Sequence, residues 1–167
     1  MQEAIRSRRT HKAFRPERVP REILDELFEV ARWAPNHHLT NPWRFRVVGP
    51  HALAKLKEAA GPEAAAKLDR APTLVVATAI RSEDPVQDQE DLCATACAVY
   101  AVLLAAHARG LGGYWRTPGV LRTQQGLDAL GIPPEERFVA LVHLGWPRQD
   151  KTAPDRLPPA DFITYLG

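Results

Sequence analysis

The first 45 residues of this sequence decide how its fold is interpreted, through the stretches Ser7-Arg8-Arg9-Thr10-His11-Lys12-Ala13-Phe14 and Ala34-Pro35-Asn36-His37-His38-Leu39-Thr40-Asn41-Pro42-Trp43-Arg44-Phe45. The first stretch lies in a basic region, because residues 1–21 hold seven cations and two anions, an excess of five positive charges. That concentration indicates an anion-binding site. A solvated basic helix would have the same composition, so this second interpretation stays open.

The residue types of the first stretch favour phosphate as the anion. Arginine presents a planar fork of charge-assisted donors that matches phosphate oxygens. Alternate side chains of an extended segment point to the same side, so Arg8, Thr10 and Lys12 can converge on one ligand. The alternative is a frayed helix end whose cations are solvated.

The second stretch follows a predicted helix and a proline. Asn36, His37 and their backbone N–H groups can bind the edge of a flat ring there, although an ordinary polar loop would have the same residues. The remaining histidines are scattered along the sequence, so no metal site is predicted.

Length, charge and cysteine content narrow the class of protein. A chain of 167 residues favours one domain, residues 1–167, with a core of its own. The net charge of +2 and an N-terminus without an apolar signal core predict a cytoplasmic protein that binds neither nucleic acid nor membrane. Cys93 and Cys97 lie four positions apart in an alanine-rich stretch, which predicts buried thiols.

The hydrophobic periodicity predicts helices and short strands that follow one another along the chain. The helices are expected at residues 2–9, 20–34, 51–60, 63–70, 89–109 and 118–130, and the strands at 43–48, 73–80, 113–117 and 138–144. The helix at 89–109 is apolar on nearly every face, which indicates burial inside the domain or under a partner subunit. Residues 148–167 form a proline-rich arm whose apolar end should dock on the body or on a neighbour.

The stretch Gly110-Leu111-Gly112-Gly113-Tyr114-Trp115-Arg116-Thr117 resembles a dinucleotide-binding fingerprint only superficially. Trp115 replaces the third glycine, and the stretch follows a helix instead of a strand. Trp115, Arg116 and Thr117 together offer a stacking surface, a cation and a hydroxyl to an aromatic ligand. Packing in the core is the alternative for Trp115.

The sequence has no recognisable machinery for catalysis by protein side chains. We find no nucleophile elbow, phosphate-binding P-loop, paired acid and base or metal-binding helix, so no catalytic side chain is predicted. A redox cofactor that supplies its own chemistry fits this composition better.

The two N-terminal stretches resemble the flavin-contacting segments of the nitroreductase family, which are dimeric FMN-dependent NAD(P)H oxidoreductases. The similarity extends to the end of the long helix, Ala108 to Gly113, and to the region from Gly131 to Pro147. The resemblance implies an α+β fold with a mixed central sheet flanked by helices. It also implies an interlocked homodimer in which the C-terminal arm, from about residue 148, is exchanged onto the partner.

The resemblance also implies a set of FMN-binding residues. They would be Arg8, Arg9, Thr10, Lys12, Trp115, Arg116 and Thr117, with Pro35, Asn36 and His37 approaching from the second subunit. Arg156 is a further phosphate contact by a weak match. The family often has two serines where this chain has Asn36 and His37, and Asn where Leu39 stands, so the contact to the flavin N5 edge stays open.

The activity implied by the resemblance is a two-step cycle in which NAD(P)H passes hydride to FMN and an electron-poor acceptor then receives it. Nitroaromatics and quinones are the expected acceptors. Two alternatives remain open: different flavin chemistry on the same fold, such as dehalogenation or flavin fragmentation, and a flavin-free dimeric protein that binds an anion.

Overall fold

A computed structural model of the chain describes residues 2–167. Its helices are α1 (Gln2–Ser7), α2 (Arg21–Ala31), α3 (Pro50–Ala65), α4 (Pro85–Ala108) and α5 (Gln124–Ala129), and its strands are β1 (Trp43–Val47), β2 (Thr73–Ile80), β3 (Gly112–Arg116) and β4 (Glu136–Gly145). Short 3-10 turns occupy His37–Leu39, Gly119–Arg122 and Pro159–Asp161. The four predicted strands are confirmed to within two residues at each end.

Local sequence explains where the helices begin and break. Asp84 caps α4, because its side chain accepts a hydrogen bond from the Val86 N–H at 2.9 Å, and Pro85 occupies the first turn. The predicted break at residues 61–62 appears as a kink inside α3, where Gly61 has a φ of +73°. The helix predicted at 118–130 is shorter and is preceded by a 3-10 turn, since the Thr123 hydroxyl accepts from the Gly126 N–H and starts α5 there.

The sheet has the strand order β1-β2-β4-β3, and its three strand pairs are antiparallel. β2 pairs with β1 on one side and β4 on the other, which explains why its β-branched run is buried. The parallel contact of the described residues is an isolated bridge between Thr10 and Gly113. The N-terminal segment therefore lies along the outer side of β3.

Two apolar layers cover the two faces of the sheet. The first contains Leu27 of α2, Val99 and Val102 of α4 and the inward residues of β2 and β4. The second contains Leu56 of α3, Leu121 and the residues of β2 and β4 that point the other way. The predicted α+β architecture is confirmed: helices lie on both faces of one sheet.

Helix α4 is long and apolar enough to cross a membrane by length and composition, and half of its most apolar window is buried inside the chain. Its remaining face is exposed in the single subunit and carries Cys93, Cys97 and Tyr100. The prediction of buried thiols is therefore wrong for the isolated chain, because these residues occupy the stripe of α4 that faces away from the sheet.

The C-terminal arm, residues 148–167, is exposed along its whole length and contains one 3-10 turn. Its large apolar side chains are uncovered: Tyr165 and Leu166 are 91% and 92% exposed. Hydrogen bonds attach the start of the arm to the N-terminal segment, two of them beyond Arg148. Lys151 donates to the Thr10 carbonyl at 2.8 Å, and Arg9 donates to the Thr152 carbonyl at 3.3 Å.

Candidate functional site

The basic N-terminal segment is held against the edge of the sheet by backbone contacts. Beyond the bridge of Thr10 to Gly113, the His11 N–H donates to the Gly113 carbonyl at 3.2 Å. The segment then passes the end of β4, where Phe14 forms an antiparallel bridge with Pro147. A Cβ on Gly113 would lie 2.5 Å from the Cδ2 of Leu103, so a larger residue there would require the Leu103 side chain to move.

A first cavity, here the arginine cavity, has a volume of about 420 Å³ and lies between α1, α4 and the arm. Its lining residues are Ile5, Arg6, Arg8, Arg9, Tyr100, Ala153, Pro154 and Arg156. Four of these are cations, and the lining described contains no carboxylate. The predicted residues Arg8, Arg9 and Arg156 are thus brought together from opposite ends of the chain.

The four arginines of this cavity are not equally available to a ligand. Arg9 donates to the carbonyls of Arg6, Arg8 and Thr152, so it closes the connection between α1 and the arm. The Nε of Arg8 is buried and has no hydrogen-bond partner among the described residues. A buried charged donor without an acceptor is costly, and an anion in the cavity would satisfy it. The donor set therefore fits a phosphate group.

A second cavity, here the Lys12 cavity, has a volume of about 490 Å³ and lies where the N-terminal segment passes the end of β4. Its lining residues are Lys12, Ala13, Phe14, Arg15, Pro16, Asp69, Arg70, Pro72 and Arg148. The Nζ of Lys12 lies 5.8 Å from the centre of the Tyr114 ring. Within one subunit, Lys12 and Arg8 thus line different cavities of the same segment.

The segment predicted to approach the flavin from a second subunit forms a tight bend after α2. Pro35 and Asn36 line a third cavity of about 430 Å³ together with Trp33 and Leu39, both of which are highly exposed. His37 lies next to this cavity, and its Nδ1 is 2.7 Å from a carboxylate oxygen of Glu90. These residues form no part of the arginine cavity of their own chain.

The residues predicted at the end of β3 have contacts inside the subunit. Trp115 packs against the apolar layer formed by α2 and α4. Arg116 donates to the Lys67 carbonyl at 3.0 Å, and its guanidinium lies 5.8 Å from the Tyr114 ring centre. Thr117 accepts a hydrogen bond from Arg122 at 3.2 Å. All three lie outside the linings of the arginine and Lys12 cavities.

Two histidines of this region, His11 and His143, are buried. Burial, and then the nearby Lys151 and His107, lower the pKa of His11, while Asp150 opposes this. Burial, and then Arg116 and Arg70, lower the pKa of His143 to about 3. Neither ring nitrogen of His143 has a partner among residues 2–167. Both side chains are therefore neutral at pH 7 and form part of the packing.

Sequence reasoning did not single out two residues of the arginine cavity. Arg6 is one of the N-terminal cations, and its position two residues before Arg8 is the signal in the sequence that it belongs to the cavity. Tyr100 comes from the middle of α4, where it is a half-exposed aromatic residue with a polar tip. Nothing in the local sequence indicates that it meets α1 and the arm.

Comparison with known proteins identifies relatives of this chain. The family model described as the nitroreductase family matches residues 5–67 and 59–146. A Bacillus subtilis protein provisionally named NAD(P)H nitroreductase is 27% identical over 182 residues, covering 99% of this chain and 94% of its own. A Haemophilus influenzae protein with the same provisional name is 30% identical over 161 residues, 87% of this chain and 88% of its own.

Solved structures give the same result. A Desulfovibrio desulfuricans protein provisionally named nitroreductase, crystallised in complex with FMN, is 28% identical with a TM-score of 0.83, covering 99% of this chain and 96% of its own. A nitroreductase-like family protein of Bacillus cereus has a TM-score of 0.90 at 23% identity and covers 99% of this chain and 95% of its own, which shows that the fold is shared.

Proposed function

This chain belongs to the nitroreductase family, and on that premise we propose that it reduces nitroaromatic, quinone or similar electron-poor acceptors in a two-step hydride-transfer cycle. It is an NAD(P)H-dependent flavin oxidoreductase with FMN as cofactor. When bound, FMN supplies the ring that accepts and donates hydride. The task of the protein is to bind and orient the cofactor and its substrates.

The observation that supports this proposal most directly is the buried, unpartnered Nε of Arg8 in the arginine cavity. A phosphate group would accept from Arg8, with Arg6 and Arg156 adding charge-assisted donors. Arg9 would contribute positive charge while it ties α1 to the arm. The arginine cavity is the proposed site of the FMN phosphate.

The remaining predicted residues would serve the rest of the cofactor. Thr10 and Lys12 follow Arg8 along the edge of β3, toward the far end of an elongated ligand. The charge of Lys12 would stabilise negative charge on the flavin ring. Trp115, Arg116 and Thr117 form the end of β3, and their contacts lie within the subunit. They would support the Thr10–Lys12 segment from the inner side.

We further propose that the active form is a homodimer with two FMN sites. The exposed face of α4 and the exposed apolar side chains of the arm need cover, and a second copy supplies it. Pro35, Asn36 and His37 line no cavity with the arginines of their own chain, which suits a contribution to the partner's site. The C-terminal arm would reach onto that partner, and the enzyme would work in the cytoplasm.

The visible spectrum of the purified protein tests the proposal. The protein should be yellow and should bleach on anaerobic addition of NADH or NADPH. A colourless protein that ignores added FMN would support the alternative of a flavin-free anion-binding dimer and overturn the proposal.

A variant assigns the site. Arg8→Ala should weaken FMN binding about 30-fold, because a charge-assisted hydrogen bond in a partly buried site is lost. Fluorescence titration of the flavin-free protein with FMN measures this change. Arg21→Ala removes the same charge from an exposed position beside Asp25 and should leave the affinity unchanged. Equal affinity in both variants would remove Arg8 from the site.

A further inference from the structure

The Lys12 cavity has the chemistry of a second anion site that FMN phosphate binding does not use. Four of its lining side chains are cations, namely Lys12, Arg15, Arg70 and Arg148. The carboxylate on the lining, Asp69, is already paired with Lys57 at 2.7 Å. The positive charge of the cavity is therefore not balanced from within the cavity.

The cations of this cavity are available to a ligand. Lys12, Arg15 and Arg70 form no ion pair with any residue that the structure describes, and the contact recorded for Lys12 is the Tyr114 ring. The field of Arg70 also reaches the interior, since Arg70 helps burial and Arg116 to lower the pKa of His143. An anion placed among these side chains would gain several charge-assisted contacts at once.

The frame of the cavity is rigid. Phe14 bridges Pro147, the Arg15 N–H donates to the Trp146 carbonyl at 2.8 Å, and the Arg148 N–H donates to the Ala13 carbonyl at 3.2 Å. The Arg148 side chain itself donates to the Phe14 carbonyl at 2.7 Å. These backbone contacts hold the stems of Arg15 and Arg148 in place on adjacent extended segments.

The position of the cavity relative to the arginine cavity indicates what it binds. Arg8 and Lys12 belong to one extended segment and are four residues apart, about 13 Å at 3.3 Å per residue. If the arginine cavity holds the FMN phosphate, the Lys12 cavity lies at the other end of the cofactor-binding segment. A molecule that approaches the ring of FMN there would meet a second cluster of cations.

We propose that the Lys12 cavity binds the 2′-phosphate of NADPH and makes the enzyme prefer NADPH over NADH; this assignment rests on the proposed function. NADPH differs from NADH by one phosphate monoester, which carries up to two negative charges and three acceptor oxygens. Arg15 and Arg70 supply forked donors for these oxygens, and Arg148, whose Nε is fixed on the Phe14 carbonyl, adds positive charge. NADH has no group that would use these donors.

Calorimetric titration of the flavin-loaded protein with 2′,5′-ADP and with 5′-ADP tests the proposal without turnover. The two probes carry similar charge and differ in where the phosphates sit. The wild type should bind 2′,5′-ADP at least ten-fold more tightly than 5′-ADP. Equal affinity for the two probes, or inorganic phosphate that competes as well as 2′,5′-ADP, would overturn the nucleotide assignment.

Variants then assign the residues. Arg70→Ala and Arg15→Ala should each weaken 2′,5′-ADP binding about ten-fold, and each should lower the ratio of kcat/KM for NADPH to that for NADH by a similar factor. Arg21→Ala, which removes an exposed charge elsewhere, is the matched control. An unchanged ratio in both cavity variants would overturn the proposal.

The failure of this proposal can be told apart from failure of the proposed function. Loss of FMN in Arg70→Ala would show that the Lys12 cavity holds the cofactor phosphate, which overturns the NADPH assignment and leaves the oxidoreductase intact. A wild-type protein that binds no FMN overturns the proposed function, whereas the calorimetric comparison can still be made on the flavin-free chain.

Discussion

The arginine cavity and the Lys12 cavity are alike in charge and size but differ in what completes them. One segment, residues 8–15, supplies cations to both. The arginine cavity is closed by Ala153, Pro154 and Arg156 of an arm that is exposed throughout, whereas the Lys12 cavity is closed by backbone bridges at the end of β4. The cations of the arginine cavity are thus held partly by an exposed arm, whereas those of the Lys12 cavity are held by backbone hydrogen bonds. The arginine cavity should depend on a partner subunit, and the Lys12 cavity should not.

Removal of residues 152–167, most of the arm, should have the largest effect. It should affect the arginine cavity much more than the Lys12 cavity. A chain that ends at Lys151 loses Arg156 and the exposed apolar residues but keeps Arg148. We expect FMN affinity to fall by more than about 100-fold and the dimer to dissociate, because the arginine cavity loses its outer wall and the proposed dimer loses the apolar contacts of the arm. FMN titration and analytical ultracentrifugation measure these effects.

The same truncated chain provides the comparison with the Lys12 cavity. Its affinity for 2′,5′-ADP should stay within about two-fold of the wild type, since the bridges at Phe14 and Arg15 remain. Circular dichroism should show an intact fold. If the truncated chain keeps both FMN affinity and the dimer, the arm has no part in the site.

The buried His143 should make the stability of the fold depend on pH. The lowered pKa of His143 means that the folded state holds this ring neutral, while the unfolded chain takes up a proton near pH 6.5. The resulting stability is present above that pH and is lost as the pH falls toward about 3. Between pH 7 and pH 5 the contribution lost should be about 2 kcal/mol.

The variant His143→Phe isolates this contribution. It keeps a ring of similar size, removes two unpartnered nitrogens and cannot titrate. Denaturant unfolding at pH 7 and pH 5 should show that the variant loses about 2 kcal/mol less than the wild type. Equal losses in the two proteins would mean that His143 has partners that keep it protonated.

Arg156 should give the smallest effect. It lies on the exposed arm and shares the arginine cavity with three other cations, so Arg156→Ala should weaken FMN binding about ten-fold. Arg156→Lys keeps the charge and loses the fork, and about three-fold is expected. Flavin titration distinguishes the two. Equal losses in both variants would show that the fork, and not the charge, binds the ligand.

The sequence predicted elements well where burial alone decides them. The run Thr73–Ile80 is apolar and β-branched because β2 lies inside the sheet, and the predicted boundaries match the observed ones. The predicted α4 ends within one residue of the observed helix but begins four residues late, because Asp84 and Pro85 start the helix before its apolar pattern begins. The hydrophobic pattern also does not show which stripe faces the sheet. That limit explains the wrong prediction for Cys93 and Cys97, which occupy the outward stripe.

The site was harder to predict because it depends on contacts between distant segments. The N-terminal arginines were identified by their charge, but Tyr100 lies more than ninety positions away on an apolar helix. Lys12 was grouped with Arg8 by the alternation of an extended strand, and the structure places the two beside different cavities. Alternation predicts that the two side chains lie on one side of the segment, but it does not predict that each of them lines a different cavity.

The bend after α2 has a consequence for how this protein can vary. His38, Leu39 and Asn41 all have left-handed backbone angles, with φ between 46° and 54°. Each such residue costs on the order of 1 kcal/mol, and the Asn36 side chain offsets part of this by accepting from the Asn41 N–H at 2.9 Å. Glycine, asparagine or aspartate would tolerate these positions, whereas valine, isoleucine or threonine would not. Backbone geometry therefore limits which residues can replace these three during evolution. Few side chains remain from which a new substrate preference can arise at this bend.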